Sequence, residues 1–231
     1  MPLNFDLTVT LPFPAAPFWA QRASRPFLDF LVSDGALRRA AASAASPVPP
    51  SEAAALTTAT GSPFRRGAPL ATRTQSYIPA SADIPDALRL VLGEELFGLE
   101  DTQVWEAAAG DGSTAGGGVV GVGVGGVGDG GLPPPPMVQT FRITPAVLSA
   151  YVTTGGVLTV ASVAGDADGA ASHRLTGSVG VSLWGLADVA EAAVLRNMDT
   201  FYAAYPATVG RWRLGGGGGR AGDAGVQVVS W

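Results

Sequence analysis

Apolar and polar residues at the start of the chain alternate as they do in a β-strand with one buried face. Residues 3–11 keep strict period two, and Pro12 and Pro14 follow directly. The pattern predicts an N-terminal strand that the prolines end, because proline cannot donate a backbone hydrogen bond. The apolar face of this strand consists of Leu3, Phe5, Leu7, Val9 and Leu11.

The longest amphipathic stretch lies near the other end, from Val181 to Arg213. It predicts a strand that turns at Gly185 into one long helix over residues 186–213, about 40 Å in length. Pro206 is expected to kink or break this helix. Asn197 falls within the apolar arc, where a buried amide needs a partner or a cavity. The arc contains Leu186, Val189, Ala190, Ala193, Val194, Met198, Phe201, Ala204, Tyr205 and Trp212.

Shorter strands and helices are predicted between these two ends. Residues 172–183 alternate again, with His173, Leu175 and Val179 on one face and polar side chains on the other. Because short turns join the last strands, we expect an antiparallel sheet with one solvent-facing side. The predicted helices cover residues 16–22, 26–32 and 83–92, and the other predicted strands cover residues 36–42, 70–78, 96–106, 137–144 and 151–163.

Three segments depart from these patterns because small residues and prolines dominate them. We interpret residues 41–67 and 107–136 as low-complexity insertions, and residues 214–231 as a Gly-rich tail. The first insertion is expected to be a disordered or loosely packed loop. The chain is therefore predicted to form a single domain over residues 1–213.

The second insertion contains a formal match to a dinucleotide-binding fingerprint, formed by Gly121, Gly123 and Gly126. Such a loop can hold a pyrophosphate only between a buried strand and the N-terminus of a helix. Here the proline run 133–136 follows where the motif needs a helix. We interpret the segment as a spacer.

Composition excludes several classes of function. The net charge is −5, so the chain lacks the cationic excess that nucleic acids require. There is no cysteine and a single histidine, His173, which excludes disulfides, thiolate catalysis and multi-histidine metal sites. We therefore predict no cofactor and no metal. The N-terminus lacks the features of a signal peptide and no apolar run could span a bilayer, so we expect a soluble, cytoplasmic monomer.

The order of elements resembles the helix-grip fold of the START-like, Bet v 1-like (SRPBCC) superfamily. That order is a strand, two short helices, about six antiparallel strands and one long C-terminal helix. The ending is similar to an uncharacterised branch, in which Gly185-Leu186 leads into the last helix and Tyr202-Ala203-Ala204-Tyr205-Pro206 is followed by Arg211-Trp212. The likeness covers residues 3–40, 68–106 and 137–213. The supporting stretches are LNFDLTVTLPF, PAAPFWAQRASRPFLDFLV, SYIPASADIPDALRLVLGEELFGLEDTQVW and RLTGSVGVSLWGLADVAEAAVLRNMDTFYAAYPATVGRW.

The resemblance implies an α+β fold in which a curved antiparallel sheet of about six to seven strands wraps around the last helix. Members hold hydrophobic molecules in an apolar cavity between the two. We therefore expect this chain to bind or carry a hydrophobic, lipid-like small molecule, with transient membrane contact compatible with such cargo. No catalytic residue is assigned, and the candidate ligand-binding residues are Phe97, Trp105, Phe141, His173, Leu175, Asn197 and Phe201.

Two alternatives remain open. One is an enzyme of the cyclase or dehydratase type that uses His173 or an acidic residue in the same cavity. The other is a protein-interaction module with a vestigial cavity, whose two insertions contact partners. Against the first, we interpret His173 as a solvated or structurally bonded histidine, because no partner is visible. Four acidic residues, Glu94, Glu95, Glu100 and Asp101, are interpreted as a solvated loop and strand edge.

Overall fold

The chain folds into an α+β structure with a curved, open antiparallel sheet and a long C-terminal helix, a layout consistent with a helix grip. The computed structural model describes residues 2–80, 98–107, 136–145, 149–163, 169–182, 185 and 187–215. The predicted helix over residues 83–92, Phe97 and the interior of the second insertion lie outside this part of the chain. Among the described helices, none is long and apolar enough to cross a membrane.

The described residues form eight strands and four helices, most of them close to the predicted positions. The sheet contains one strand more than expected, the two-residue β3. In chain order the elements are β1 Leu3–Leu11, α1 Ala15–Gln21, α2 Arg25–Ser33, β2 Leu37–Ala42, β3 Ser46–Pro47, α3 Pro50–Thr58, β4 Leu70–Pro79, β5 Leu99–Glu106, β6 Met137–Pro145, β7 Val152–Ser162, β8 Ala171–Val181 and α4 Ala187–Leu214.

The strand order is β1-β8-β7-β6-β5-β4-β2, with β3 pairing beside β2 on β4, and every pair is antiparallel. We call the face against which α4 packs the inner face. The alternating apolar residues of β1 lie on this inner face, and Leu11 is fully buried. On β7 the inner residues are Leu158 and Val160, which pair with Leu175 and His173 of β8.

The two short helices after β1 are confirmed, and they close one end of the inner face. Pro14 and Ser24 precede them, and the Ser24 hydroxyl accepts a hydrogen bond from Phe27 N at 3.3 Å, as a helix N-cap does. α1 lies near β7, and α2 packs against β2 and α4. Their buried side chains are Ala15, Phe18, Trp19, Phe27, Leu28 and Leu31.

The first insertion is ordered, contrary to the expected loop. β3 pairs with β4, α3 follows, and Val48, Phe64 and Leu70 then form a small apolar cluster. Val104 of β5 also packs against this cluster, which places it on the outer face of the sheet. The composition obscured this arrangement, because the apolar residues of the cluster are separated in the sequence by small and polar residues.

The long C-terminal helix is confirmed, but its buried side is rotated from the predicted arc. Val189 is 45% and Phe201 is 36% exposed, whereas Glu191 and Thr208 are buried. Gly185, with φ of 73°, precedes the helix in the left-handed conformation that glycine tolerates. The helix does not break at Pro206, since it continues to Leu214.

The C-terminal turns of α4 are attached to the N-terminal elements by the Arg-Trp motif. Arg211 donates from Nε and Nη2 to the Asp34 carboxylate at 2.9 and 2.6 Å. The Trp212 ring lies 5.5 Å from Phe27, and its Nε1 donates to Gln21 Oε1 at 3.1 Å. This motif therefore holds the helix in its place across the sheet.

Candidate functional site

The inner face of the sheet has two regions that differ in chemistry. The packed region lies where α4 meets β1 and β8, and Leu11, Leu175, Val179 and Val209 are buried in it. The polar cluster lies toward the other side, on β4, β5, β6 and the end of α1. It consists of Arg22, Arg73, Gln75, Asp101, Gln103 and Gln139.

Register explains why these polar residues come together. Arg73 of β4 lies opposite Gln103 of β5, and Gln75 lies opposite Asp101. All four have the parity of Trp105, which is buried on the inner face. Directly paired side chains on one face of an antiparallel pair are within contact distance. The four residues therefore form one patch.

Hydrogen bonds fix the orientation of the amides in this patch. Arg73 Nε donates to Gln103 Oε1 at 2.9 Å, and Gln103 Nε2 donates to Gln75 Oε1 at 2.5 Å and to Asp101 Oδ2 at 2.6 Å. A guanidinium can only donate, so Gln103 must turn its oxygen toward Arg73 and its nitrogen toward the other two. Gln75 then accepts through its oxygen, and its nitrogen points elsewhere.

A second guanidinium reaches the cluster from the end of α1. Arg22 donates from Nη2 to Gln139 Oε1 at 2.7 Å and from Nη1 to the Trp19 carbonyl. Its guanidinium carbon lies 3.4 Å from the centre of the Trp19 ring, while Arg73 lies 5.0 Å from the Trp105 ring. Stacking on indole rings stabilises a buried guanidinium and leaves its edge available for hydrogen bonds.

Aromatic rings connect the polar cluster to α4. His173 on β8 is 4% exposed, and its ring lies 5.6 Å from both Tyr202 and Tyr205 and 5.7 Å from Phe18. Tyr77 on β4 and Tyr202 are half-buried and pack against the same core. The polar cluster is thus bordered by rings from the sheet, α1 and α4.

Four buried polar atoms in this interior have no hydrogen-bond partner, which is rare in folded proteins. Two are donors, Arg73 Nη2 and Gln75 Nε2. The other two are Asp101 Oδ1, an acceptor when ionised, and His173 Nδ1. Within the described part of the chain, no group of three or more His, Asp or Glu residues is placed to hold a metal ion. Unpartnered buried atoms of this kind can pair with a polar group of an organic ligand or with ordered water.

Burial shifts the ionisation of these groups. It raises the pKa of Asp101 from 3.8 to about 6, although the Gln103 hydrogen bond and the charges of Arg73 and Arg22 act to lower it. It lowers the pKa of Arg73 to about 10, and, with the charge of Arg22, it lowers the pKa of His173 to about 4. At neutral pH both arginines are charged, Asp101 is mostly ionised and His173 is neutral. Burial also raises the pKa values of Tyr77, Tyr202 and Tyr205.

The structure brings four of the candidate ligand-binding residues to the buried inner face: Trp105, Phe141, His173 and Leu175. Of the two interpretations of His173, as solvated or as structurally bonded, the solvated one is wrong, because the ring is buried among aromatic side chains.

The remaining candidates differ from this group. Asn197 is half-buried, and its Nδ2 donates to the Ala193 carbonyl of its own helix at 2.8 Å. Phe201, expected to point inward, is partly exposed and stacks on Tyr205 at 5.3 Å. Phe97 lies outside the described residues.

The residues of the polar cluster were missed from the sequence, and the interpretation of Asp101 as a solvated edge was wrong. Asp101 is only 9% exposed and lies on an interior strand. The signal that could have found it is parity, since Asp101 and Gln103 alternate in step with Leu99 and Trp105. No comparable signal marks Arg22, which enters the site through the packing of α1.

Comparison with known proteins adds no assignment to this geometry. The chain matches none of the protein-family models against which it was scanned, and the search of curated proteins found no significant match. The site's own chemistry is thus the basis for inferring function.

Proposed function

We propose that this protein belongs to the helix-grip superfamily and binds a small organic molecule between the sheet and α4. The expected hydrophobic ligand needs one modification, because the interior contains a polar cluster as well as aromatic side chains. The ligand therefore combines an apolar body with a polar group. Apolar walls with a few polar anchors are typical of small-molecule sites.

The observation that carries this proposal is the set of four unpartnered buried polar atoms. Leaving such groups unpaired costs about 1–3 kcal/mol each. A ligand that supplies the missing partners recovers this energy on binding. Ordered water is the competing occupant, since polar interiors commonly hold it. The proposal is a binding site rather than an unfilled core because half-buried rings lie near these atoms: the Tyr202 ring is 5.6 Å from the His173 ring, and Tyr77 lies two residues from Gln75 on the inner face of β4.

Two measurements on the purified full chain test this proposal. Native mass spectrometry followed by organic extraction should reveal a bound small molecule, and the neutral fluorophore N-phenyl-1-naphthylamine should bind with saturation at one site per chain. Tyr202→Ala should weaken fluorophore binding about threefold to tenfold, the range expected for one lost aromatic contact. Tyr151→Ala is the matched control, because Tyr151 is 48% exposed. Absence of both an adduct and saturable binding would contradict the proposal.

Asp101 favours acid–base catalysis as a second candidate function. Its Oδ1 is unpartnered, and its raised pKa, about 6, is close to the value that lets a carboxyl group give and take a proton near neutral pH. A cyclase or dehydratase activity would use it as the general acid or base. Incubation of the protein with any extracted ligand and its unsaturated or hydrated analogues should then show conversion by mass spectrometry. Conversion that persists in Asp101→Asn would exclude this role.

A further inference from the structure

The direction of the hydrogen bonds in the polar cluster determines what it can offer a ligand. Because Arg73 orients Gln103, and Gln103 orients Gln75, the free atoms of the two end residues are both donors: Arg73 Nη2 and Gln75 Nε2. Arg73 and Gln75 are two positions apart on β4, so both side chains lie on the inner face. Two donors on one patch are suited to a ligand group with acceptor oxygens.

The charges of the cluster favour a ligand with one negative charge. Burial lowers the pKa of both Arg22 and Arg73, but a guanidinium keeps its proton at pH 7, so the two arginines contribute two positive charges. At this pH Asp101 contributes one negative charge and His173 is neutral. While Asp101 is ionised, one anionic group neutralises the remaining charge, whereas a dianion such as phosphate would reverse it. A buried charge is stable only when it is compensated.

The inference rests on the proposed function and specifies its ligand. We propose that the polar group of the ligand is a singly charged oxygen anion of the carboxylate type, bound by Arg73 Nη2 and Gln75 Nε2, and that Asp101 makes its binding dependent on pH. The apolar body of the ligand then lies toward the rings of Tyr77 and Tyr202, which border the cluster.

The role of Asp101 follows from its two oxygens. Oδ2 accepts from Gln103, so a proton taken up by the carboxyl group goes to Oδ1, which has no partner. Protonated Asp101 adds a third donor to the patch, whereas ionised Asp101 repels an anion. A bound anion favours the protonated form, so affinity for the anion falls as the pH rises through the pKa of Asp101. The polar and titratable groups that face Asp101 are Arg73 and Tyr77 from β4, Gln103 from its own strand, Arg22 from the end of α1 and Tyr202 from α4.

A matched pair of fluorophores separates the anionic group from the apolar body. N-phenyl-1-naphthylamine is neutral, and 8-anilinonaphthalene-1-sulfonate has the same skeleton with one added anionic group. We expect the full-length protein to bind the sulfonate at least about tenfold more tightly than the neutral probe at pH 5, as a charge-assisted hydrogen bond implies. Between about pH 5 and pH 8 the affinity for the sulfonate should fall about tenfold, while the affinity for the neutral probe stays constant.

Three variants assign the effect to named residues. Arg73→Gln should weaken sulfonate binding about tenfold and leave the neutral probe unaffected. Asp101→Asn should abolish the pH dependence, because an amide stays uncharged and can still donate. Gln75→Leu should weaken sulfonate binding about threefold. If near-ultraviolet circular dichroism shows that Arg73→Gln is misfolded, the result for Gln75→Leu decides whether the β4 donors bind the anion. Arg142→Gln is the control, since Arg142 is exposed on the outer face of β6.

The outcomes distinguish the two proposals. Equal affinity for both probes, unchanged by Arg73→Gln or Gln75→Leu and independent of pH, would overturn the anion site and leave the small-molecule site standing. Failure of both probes to bind with saturation, together with the absence of a bound molecule in native mass spectrometry, would overturn the proposed function itself. Sulfonate binding that Arg142→Gln weakens as much as Arg73→Gln would also overturn the inference, because it would indicate attraction by the surface charge alone.

Discussion

The packed region and the polar cluster are parts of the same sheet face, and one row of residues paired across neighbouring strands joins them. In order across the sheet, this row consists of Phe5, Gly177, Gly156, Phe141, Gln103 and Arg73. On the packed side of this row, two glycines, Gly177 and Gly156, let the rings of Phe5 and Phe141 approach to 6.5 Å. On the other side, the row ends with Gln103 and Arg73.

The difference shows how one sheet combines stability with a site. Where α4 packs directly on β1 and β8, apolar side chains fill the interface and Val179 and Val209 are fully buried. Over β4 and β5 the inner face keeps polar groups that the chain itself does not satisfy. The first arrangement stabilises the fold, and the second is suited to a ligand. The variants below test this division, beginning with the largest expected effect.

Gly177→Ala tests the packed region at a position where two strand backbones lie close together. A Cβ atom there would lie 2.3 Å from the Gly155 carbonyl oxygen and 2.7 Å from Phe5 Cζ, so backbone must move. We expect the free energy of unfolding to fall by about 3 kcal/mol or more, measured by urea denaturation. Gly180→Ala on the same strand is the control, because its nearest neighbour would be Pro2 at 3.6 Å. Equal effects of the two variants would show that the packing at Gly177 is not restrictive.

The pH dependence of stability should separate Asp101 from His173. Asp101 has a higher pKa in the folded state, about 6 against 3.8, so it stabilises the protein as the pH falls through this range. His173 has a lower pKa in the folded state, about 4 against 6.5, so it destabilises the protein over nearly the same range. The two contributions should largely cancel in the unmodified protein.

Single substitutions should reveal the two opposing contributions. From about pH 6.5 to pH 4, Asp101→Asn should lose about 3 kcal/mol of unfolding free energy relative to the unmodified chain, and His173→Gln should gain a similar amount. Urea denaturation at a series of pH values measures both. Profiles parallel to that of the unmodified chain would mean that neither side chain is buried as the structure shows.

The smallest effect is expected within the polar cluster, where two glutamines should differ. Gln103→Leu removes the acceptor of Arg73 and the donor to Asp101, and should cost about 2 kcal/mol of unfolding free energy. Gln75→Leu removes a donor that has no partner together with an oxygen that accepts from Gln103, whose Nε2 keeps its hydrogen bond to Asp101, so the loss should stay within about 1 kcal/mol. Chemical denaturation of the two variants side by side checks this. A larger loss for Gln75→Leu would place Gln75 among the structural residues rather than at the ligand.

A site residue could be predicted only where a local sequence pattern indicated its burial and its chemistry was interpreted correctly. Trp105, Phe141 and Leu175 were predicted because apolar residues in an alternating strand indicate the buried face. Asp101 carried the same parity signal, but its charge favoured a solvated interpretation, which the burial on β5 overrules. Phe201 and Val189 are more exposed than predicted, because the buried side of α4 is rotated toward Glu191, which the predicted arc did not include. Glu191 accepts a hydrogen bond from Val181 N at 2.9 Å.

The sequence alone determined the local elements. Alternation defined β1 and β8, and helical periodicity with Gly185 defined α4. Such signals are local, because each arises from the geometry of a single strand or helix.

Only the tertiary structure decided which residues meet on the inner face. The pairing of β4 with β5 aligns Arg73 with Gln103, and the position of α1 brings Arg22 to Gln139, which is 117 residues away in the chain. Strand register and helix packing depend on interactions between distant segments, and no single segment contains that information. For this reason the long helix was predictable from its own residues, whereas the polar cluster beside it was not.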